Sequence, residues 1–423
     1  MKWIFQDQLR KRKTIKHVKI FSLVCISMLL IFGSTYFFSP QYVSSFSRLF
    51  ATFNIEECYI NKITVEVPKS YELIQIAFSL TDTYQNDDNL LQKNTTYYQD
   101  MEKYFSKYKD HKLITEINGY IKDWGPNPGN TRLQSLYYDV SDDNKLIGNK
   151  MVKFNIFTPV YMKLYWSKIF IVAENKDLIE DFAQKTDFIS FYNNHKSYYS
   201  KLIQNYNQLC DFKDMQEWLE LKFPNKYPSC RIVFSPLTWG YHNTHSIRDE
   251  KKEISQSIMF VQTPDEDLQG LTEKEFEIKA GLYSRVVFTE IDHNYVNPVS
   301  DLFTDSLQLA IPDFKFWNSG NGYHDSYSTF NEYMTWGVFS LYALDTYSKQ
   351  NVDTIIQIPA NQMNGNRGFN QFLDFNNELI AQYKANNKPP ITLLYKPILA
   401  WMKTHYARGR FKGIPVMLQK VAK

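Results

Sequence analysis

The residues of this chain whose types and spacing could do chemistry gather in one stretch, Arg285-Val-Val-Phe-Thr-Glu290-Ile-Asp-His293-Asn-Tyr-Val-Asn-Pro298. On a helical wheel Glu290 and His293 share a face with Leu282, Tyr283 and Val286. A charge on an apolar face is costly unless it is paired, hydrogen-bonded or bound to a metal. The frame Thr289-Glu290-Ile-Asp-His293 is one residue short of H-E-x-x-H. In that helical zinc motif two histidines one turn apart share the metal, and the glutamate polarises its bound water. A candidate third ligand follows 39 residues after His293 at Glu332, on a stripe with Trp336, Phe339 and Ala343. The pattern therefore predicts Glu290 as general base and His293 and Glu332 as zinc ligands, with Thr289 where the first histidine would stand. A metal-free alternative is a buried polar network in which His293 pairs with Glu290 or Glu332.

The elements that must position these groups are legible in part. Thr272-Glu-Lys-Glu275 has the form of a capping box and Pro298 is a natural stop, so one amphipathic helix is expected between them. A second helix is expected over 328–344 and carries Glu332. Strands are expected at Ile63–Val67, from Arg231, from Ser257 and at the Ile-Ile-Gln-Ile that follows Asp353. Helices are expected over 71–80, 97–108, 188–223 and 371–384. Trp124-Gly-Pro-Asn-Pro-Gly-Asn reads as a loop, and residues 151–172 stay undecided between strand and helix. Strand, loop, strand and helix in that order predict an α+β fold with the Glu290 helix against a mixed sheet.

Charge and hydropathy suggest a location. Seven basic side chains and one acid lie in residues 1–19, so the formal +3 of the chain becomes −3 for the remainder. No basic stripe follows, which argues against a nucleic-acid partner. Residues 20–38 carry no charge and suit a membrane span as a signal anchor. The expected organisation is a basic cytoplasmic segment (1–19), the span (20–38), a juxtamembrane linker (39–55) and an extracytoplasmic domain (56–423). The lipid bilayer would be one partner and a peptide or protein substrate another. In an oxidising compartment Cys210 and Cys230 would be the likelier disulfide pair, with Cys58 left over. His111 reads as a cap and His195 as a packing residue. His242, His245 and His324 are candidates to replace the missing ligand. Ser235 is not in a nucleophile elbow, and no phosphate-binding glycine motif is present.

Longer segments carry a resemblance. Val67-Pro-Lys-Ser-Tyr-Glu-Leu-Ile-Gln-Ile, Tyr97-Tyr-Gln-Asp, Phe191-Tyr-Asn-Asn-His-Lys-Ser-Tyr-Tyr, Met215-Gln-Glu-Trp, Phe234-Ser-Pro-Leu and Glu290-Ile-Asp-His-Asn-Tyr-Val-Asn-Pro resemble a bacterial domain family of unknown function. Its members carry a zincin-like helix. The resemblance runs from about residue 60 to 350. It implies a gluzincin-like, zincin-type metallopeptidase domain with Glu290, His293 and Glu332 in the roles given above. Family members often have histidine where this chain has Thr289, so the implied zinc site keeps two protein ligands. Three expectations follow: a membrane-anchored metallopeptidase-like protein, a non-catalytic cell-envelope binding protein on the same fold, or a site in which Glu290 and His293 both bind metal.

Overall fold

A computed structural model of the chain describes residues 51–124, 129–154, 171–320 and 322–411. The chain divides into two compact units. The smaller comprises Met1–Thr52 and Val152–Tyr165, of which the described residues are 51–52 and 152–154. The larger unit is Phe53–Met151 with Trp166–Lys423.

This unit is α+β. Its main sheet has four strands, β1 (Lys62–Glu66), β2 (Ser229–Phe234), β3 (Asn243–Asp249) and β4 (Ile254–Val261), in the spatial order β1-β2-β4-β3. β1 and β4 flank β2 in parallel, while β3 returns antiparallel to β4 and closes the edge. All six residues of β2 are buried, as a central strand covered on both faces requires. Its one charge, Arg231, is neutralised by Glu66 at 2.6 Å. The long crossover from β1 to β2 is helical. It includes α1 (Lys69–Ser79), α2 (Thr96–Phe105), α3 (Gly129–Ser135), α4 (Lys196–Leu209) and α5 (Phe212–Lys222). After β4 come α6 (Glu273–Ile291), α7 (His293–Ser300), α8 (Ser326–Thr346), α9 (Val352–Asn364), α10 (Phe372–Ala385) and α11 (Tyr395–Phe411).

Several expectations are corrected. The Thr272–Glu275 capping box forms and starts α6, but the helix does not run unbroken to Pro298. It breaks at Asp292, and α7 begins at His293. Pro298 lies inside α7 and not at its end. A proline cannot donate to the carbonyl four residues back. Here the Tyr227 hydroxyl donates to that Asn294 carbonyl at 2.9 Å and satisfies it instead. The segment expected as a strand after Asp353 is helix α9. Its buried Ile355, Ile356, Pro359, Ala360 and Met363 follow helical spacing. Residues 188–223 form three helices, not one. Most of the 124–130 loop and of 151–172 lies outside the described residues. His111 donates or accepts at both ring nitrogens, capping the backbone N–H of Leu113 (3.2 Å) and meeting Asp181 (2.9 Å).

Two further corrections concern location. No helix among the described residues is long and apolar enough to cross a membrane, and the span expected at 20–38 lies outside them. The longest described helix, α8, carries Glu332 and is packed inside the protein. The single-pass, cell-membrane placement is therefore not carried forward. Nor do Cys210 and Cys230 pair: both are buried free thiols, and burial pushes each up to about 12.

Close packing fixes how α6 meets its neighbours. A Cβ on Gly281 would lie 2.7 Å from the buried Ile355 side chain of α9. Gly281→Val should accordingly cost about 1–3 kcal/mol, read as a lowered urea midpoint with an unchanged slope.

Candidate functional site

The site forms where the sheet and the later helices meet. The β2–β3 loop, 235–242, leaves the carboxyl end of β2, and Gln262 immediately follows β4. Loops at the carboxyl ends of parallel strands leave a crevice that α/β proteins use for ligands. The loop is anchored from the crossover side: Gly240 N–H donates to the Asn89 carbonyl (2.8 Å), Gln92 N–H to the Leu237 carbonyl (3.0 Å), and Tyr71 bonds Thr238 (3.0 Å). On the helical side Asn294 of α7 donates to Thr244 (2.9 Å) and Ser257 (2.6 Å), pinning that helix to β3 and β4.

Between these parts lies a cavity of about 940 Å³. Glu290, His293 and Glu332 all line it, so the structure brings the three predicted residues together. Thr289 lines it too, but its hydroxyl donates back to the Arg285 carbonyl at 3.0 Å. Of the three candidate histidines only His242 is on the wall; His245 packs on Phe260 and His324 on Phe314. His195 serves packing, with one ring nitrogen at the Phe191 carbonyl and the other at Asp100.

Glu332 is the most constrained of the three. One oxygen accepts from the Tyr323 hydroxyl at 2.8 Å and faces His293 Nε2 at 3.5 Å, while the other meets Arg367 Nη1 at 3.1 Å. The Arg367 contact is an ion pair without good hydrogen-bond alignment. Arg367 Nη2 also donates to Tyr323 at 3.0 Å, closing a ring of three groups. Arg367 owes its place to two loops that meet backbone to backbone. Gly368 adopts φ +75°, and a Cβ on Gly320 would sit 2.3 Å from the Arg367 carbonyl.

These contacts set the charges. Burial alone would raise the Glu332 carboxyl, but Arg367 and His293 hold it down at about 2. Burial works against the His293 cation, yet Glu332 outweighs it and lifts the imidazole to about 9. Glu290 is different: no hydrogen bond or ion pair engages it among the described residues, and burial, opposed by His293 and aided by Glu332, raises it to about 7. Neighbouring Asp292 is fully buried with neither carboxylate oxygen hydrogen-bonded among the described residues, and burial raises it well above the usual carboxylate range. His242 is pushed down to about 3 by burial and by Arg285 and Arg132, so it stands neutral.

The arrangement does not suit the expected zinc. Among the described residues no group of three or more His, Cys, Asp or Glu side chains is disposed to hold a metal ion. A ligating histidine must offer a neutral nitrogen. His293 is instead engaged at both nitrogens, by Glu332 and by Asn297 Oδ1 at 3.3 Å. Arg285 and Arg367 on the same wall add positive charge where a dication would sit. The zincin-type metallopeptidase expectation is corrected on these grounds. What the sequence reading missed is the cationic partner: Arg285 lies one turn before Thr289, and Arg367 is the single charge in Asn364-Gly-Asn-Arg-Gly. An arginine inside a glycine-rich loop was the available signal.

Comparison with known proteins returns no match to a protein-family model, to a curated protein or to a solved structure.

The shifts predict a pH response. Stability from Glu290 is complete below 4.5 and lost as pH rises through about 7; that from His293 is complete below 6.5 and lost through about 9. Glu332 runs the other way, its contribution lost only as pH falls from 4.5 through about 2. In urea denaturation Glu332→Gln should cost about 3 kcal/mol near neutrality, with the gap to wild type narrowing between 6.5 and about 9. Glu290→Gln should gain on wild type from pH 4.5 to about 7.

Proposed function

We propose that the protein is an acid–base enzyme acting on a polar, polyhydroxylated substrate of the saccharide class, with Glu290 as the proton-transferring group. One observation carries the reading: two carboxyl groups line one cavity in opposite states, Glu332 bound by three partners and Glu290 bound by none among the described residues. A pair of carboxyl groups pushed apart in this way divides naturally into a fixed anion and a proton carrier. A carboxyl titrating near 7 can both give and take a proton at neutral pH.

The wall supports the substrate class. Asn89, Asn243, Gln262, Asn297, Gln362 and Asn366 supply amides that both donate and accept. Such groups match hydroxyls better than they match apolar side chains. Trp239, 38 % exposed on the β2–β3 loop, offers a ring face at the edge. In cleavage of a glycosidic bond, protonated Glu290 would give its proton to the departing oxygen as the carbon–oxygen bond breaks. The resulting carboxylate would then take a proton from the water that adds to the sugar carbon. Glu332 is a positioning residue that orders His293, Tyr323 and Arg367 around the reacting group.

A panel of nitrophenyl glycosides, run beside a peptide library, tests this. Turnover of a glycoside should fall about 100- to 10,000-fold in Glu290→Gln, with the dissociation constant for the same glycoside little changed. Equal turnover in the variant would remove Glu290 from the chemistry. Binding without turnover in either protein would leave the cavity as a binding site alone.

A further inference from the structure

The cavity has a charge imbalance that acid–base chemistry does not use. Glu332 is matched by Arg367 and His293, and no other carboxylate forms an ion pair with a wall cation among the described residues. Arg285 nevertheless lines the cavity, its guanidinium 4.6 Å from the centre of the Trp336 ring, with no hydrogen-bond acceptor for its Nε among the described residues. Arg367 lies 4.9 Å from the same ring, and burial followed by Arg367 pushes Arg285 down to about 10. Arg132 of α3 is 1 % exposed and holds two residues of the cavity wall, Tyr241 and Asn243. Its Nη1 donates to the Tyr241 carbonyl (2.7 Å) and Asn243 Oδ1 (3.0 Å), but its Nε and Nη2 have no partner among the described residues. Among the described residues Asn243 Nδ2 and Arg285 Nε are buried donors without acceptors as well.

A buried guanidinium without a counter-ion is a strained arrangement that removal from water makes costly. The unpaired donors of the two wall residues Arg285 and Asn243 ask for the same complement, a group that only accepts and carries negative charge. Neutral His242 adds no charge of its own to this wall. We infer that Arg285, backed by Arg132 and Asn243, forms a subsite for an oxyanion substituent, a carboxylate or a phosphate, on the saccharide. This rests on the saccharide reading for the remainder of the ligand, and the anion itself needs only the wall. The planar guanidinium fork suits both anions.

Calorimetric titration of the full chain with glucose, glucuronate and glucose 6-phosphate tests the subsite. At least one anionic sugar should bind about tenfold or more tighter than glucose, since a charge-assisted bond is worth that much. The preference should vanish in Arg285→Gln and survive in part in Arg285→Lys, with thermal unfolding confirming that each variant is folded. The two anionic arms separate carboxylate from phosphate. Equal binding of all three sugars, absence of binding by both anionic sugars, or a preference untouched by Arg285→Gln would overturn the subsite. Glycoside turnover that depends on Glu290 while the anions show no advantage would sink the subsite and leave the acid–base reading standing. Anion preference without any turnover would do the reverse.

Discussion

The ion cluster centred on Glu332 is the constraint on which the rest of the site depends. A carboxylate 8 % exposed has little water to stabilise it, and it stays ionised because Arg367, Tyr323 and His293 surround it. That one charge then settles its neighbours. It keeps His293 protonated, joins burial in keeping Glu290 from ionising, and holds Arg367 beside Trp336. Removing one partner from such a cluster leaves the others uncompensated, which is why it behaves as a unit.

The fold serves that cluster from three directions. α8 brings Glu332, the break between α6 and α7 brings Glu290 and His293, and the clasp of Gly320 on the 367–368 backbone brings Arg367. Past the break, α7 is held in place by local chemistry. Asn294 ties α7 to the sheet through its side chain, and its carbonyl, which Pro298 cannot satisfy, takes the Tyr227 hydroxyl. Catalytic precision of a fraction of an ångström needs this kind of support from rigid elements.

How much of this was legible in the sequence follows from the range of each signal. The capping box of α6 and the stripe of α8 are local, and both helices form with Glu290, His293 and Glu332 on one cavity. The α+β order was local too. α9 was misread because Ile-Ile-Gln-Ile is too short a run for periodicity to separate strand from helix; its helical spacing appears only when Pro359, Ala360 and Met363 are counted. The cationic partner of the site was missed for another reason. Arg367 is 35 residues from Glu332, and nothing in the spacing of a glycine-rich loop says that it folds back onto that carboxylate. Without the arginine, an acid and a histidine suggest a metal; with it, they form an ion cluster.

Glu290 stands apart from an ordinary carboxylate through its raised titration. Its titration can be followed directly by carbon-13 NMR of side-chain carboxyl groups, with Glu290→Gln identifying the resonance. A proton carrier at this position should show a midpoint close to 7, raised from the ordinary 4.5. A midpoint at 4.5 or below would contradict it, because Glu290 would then be a permanent anion and the Arg285 wall would already have its counter-charge.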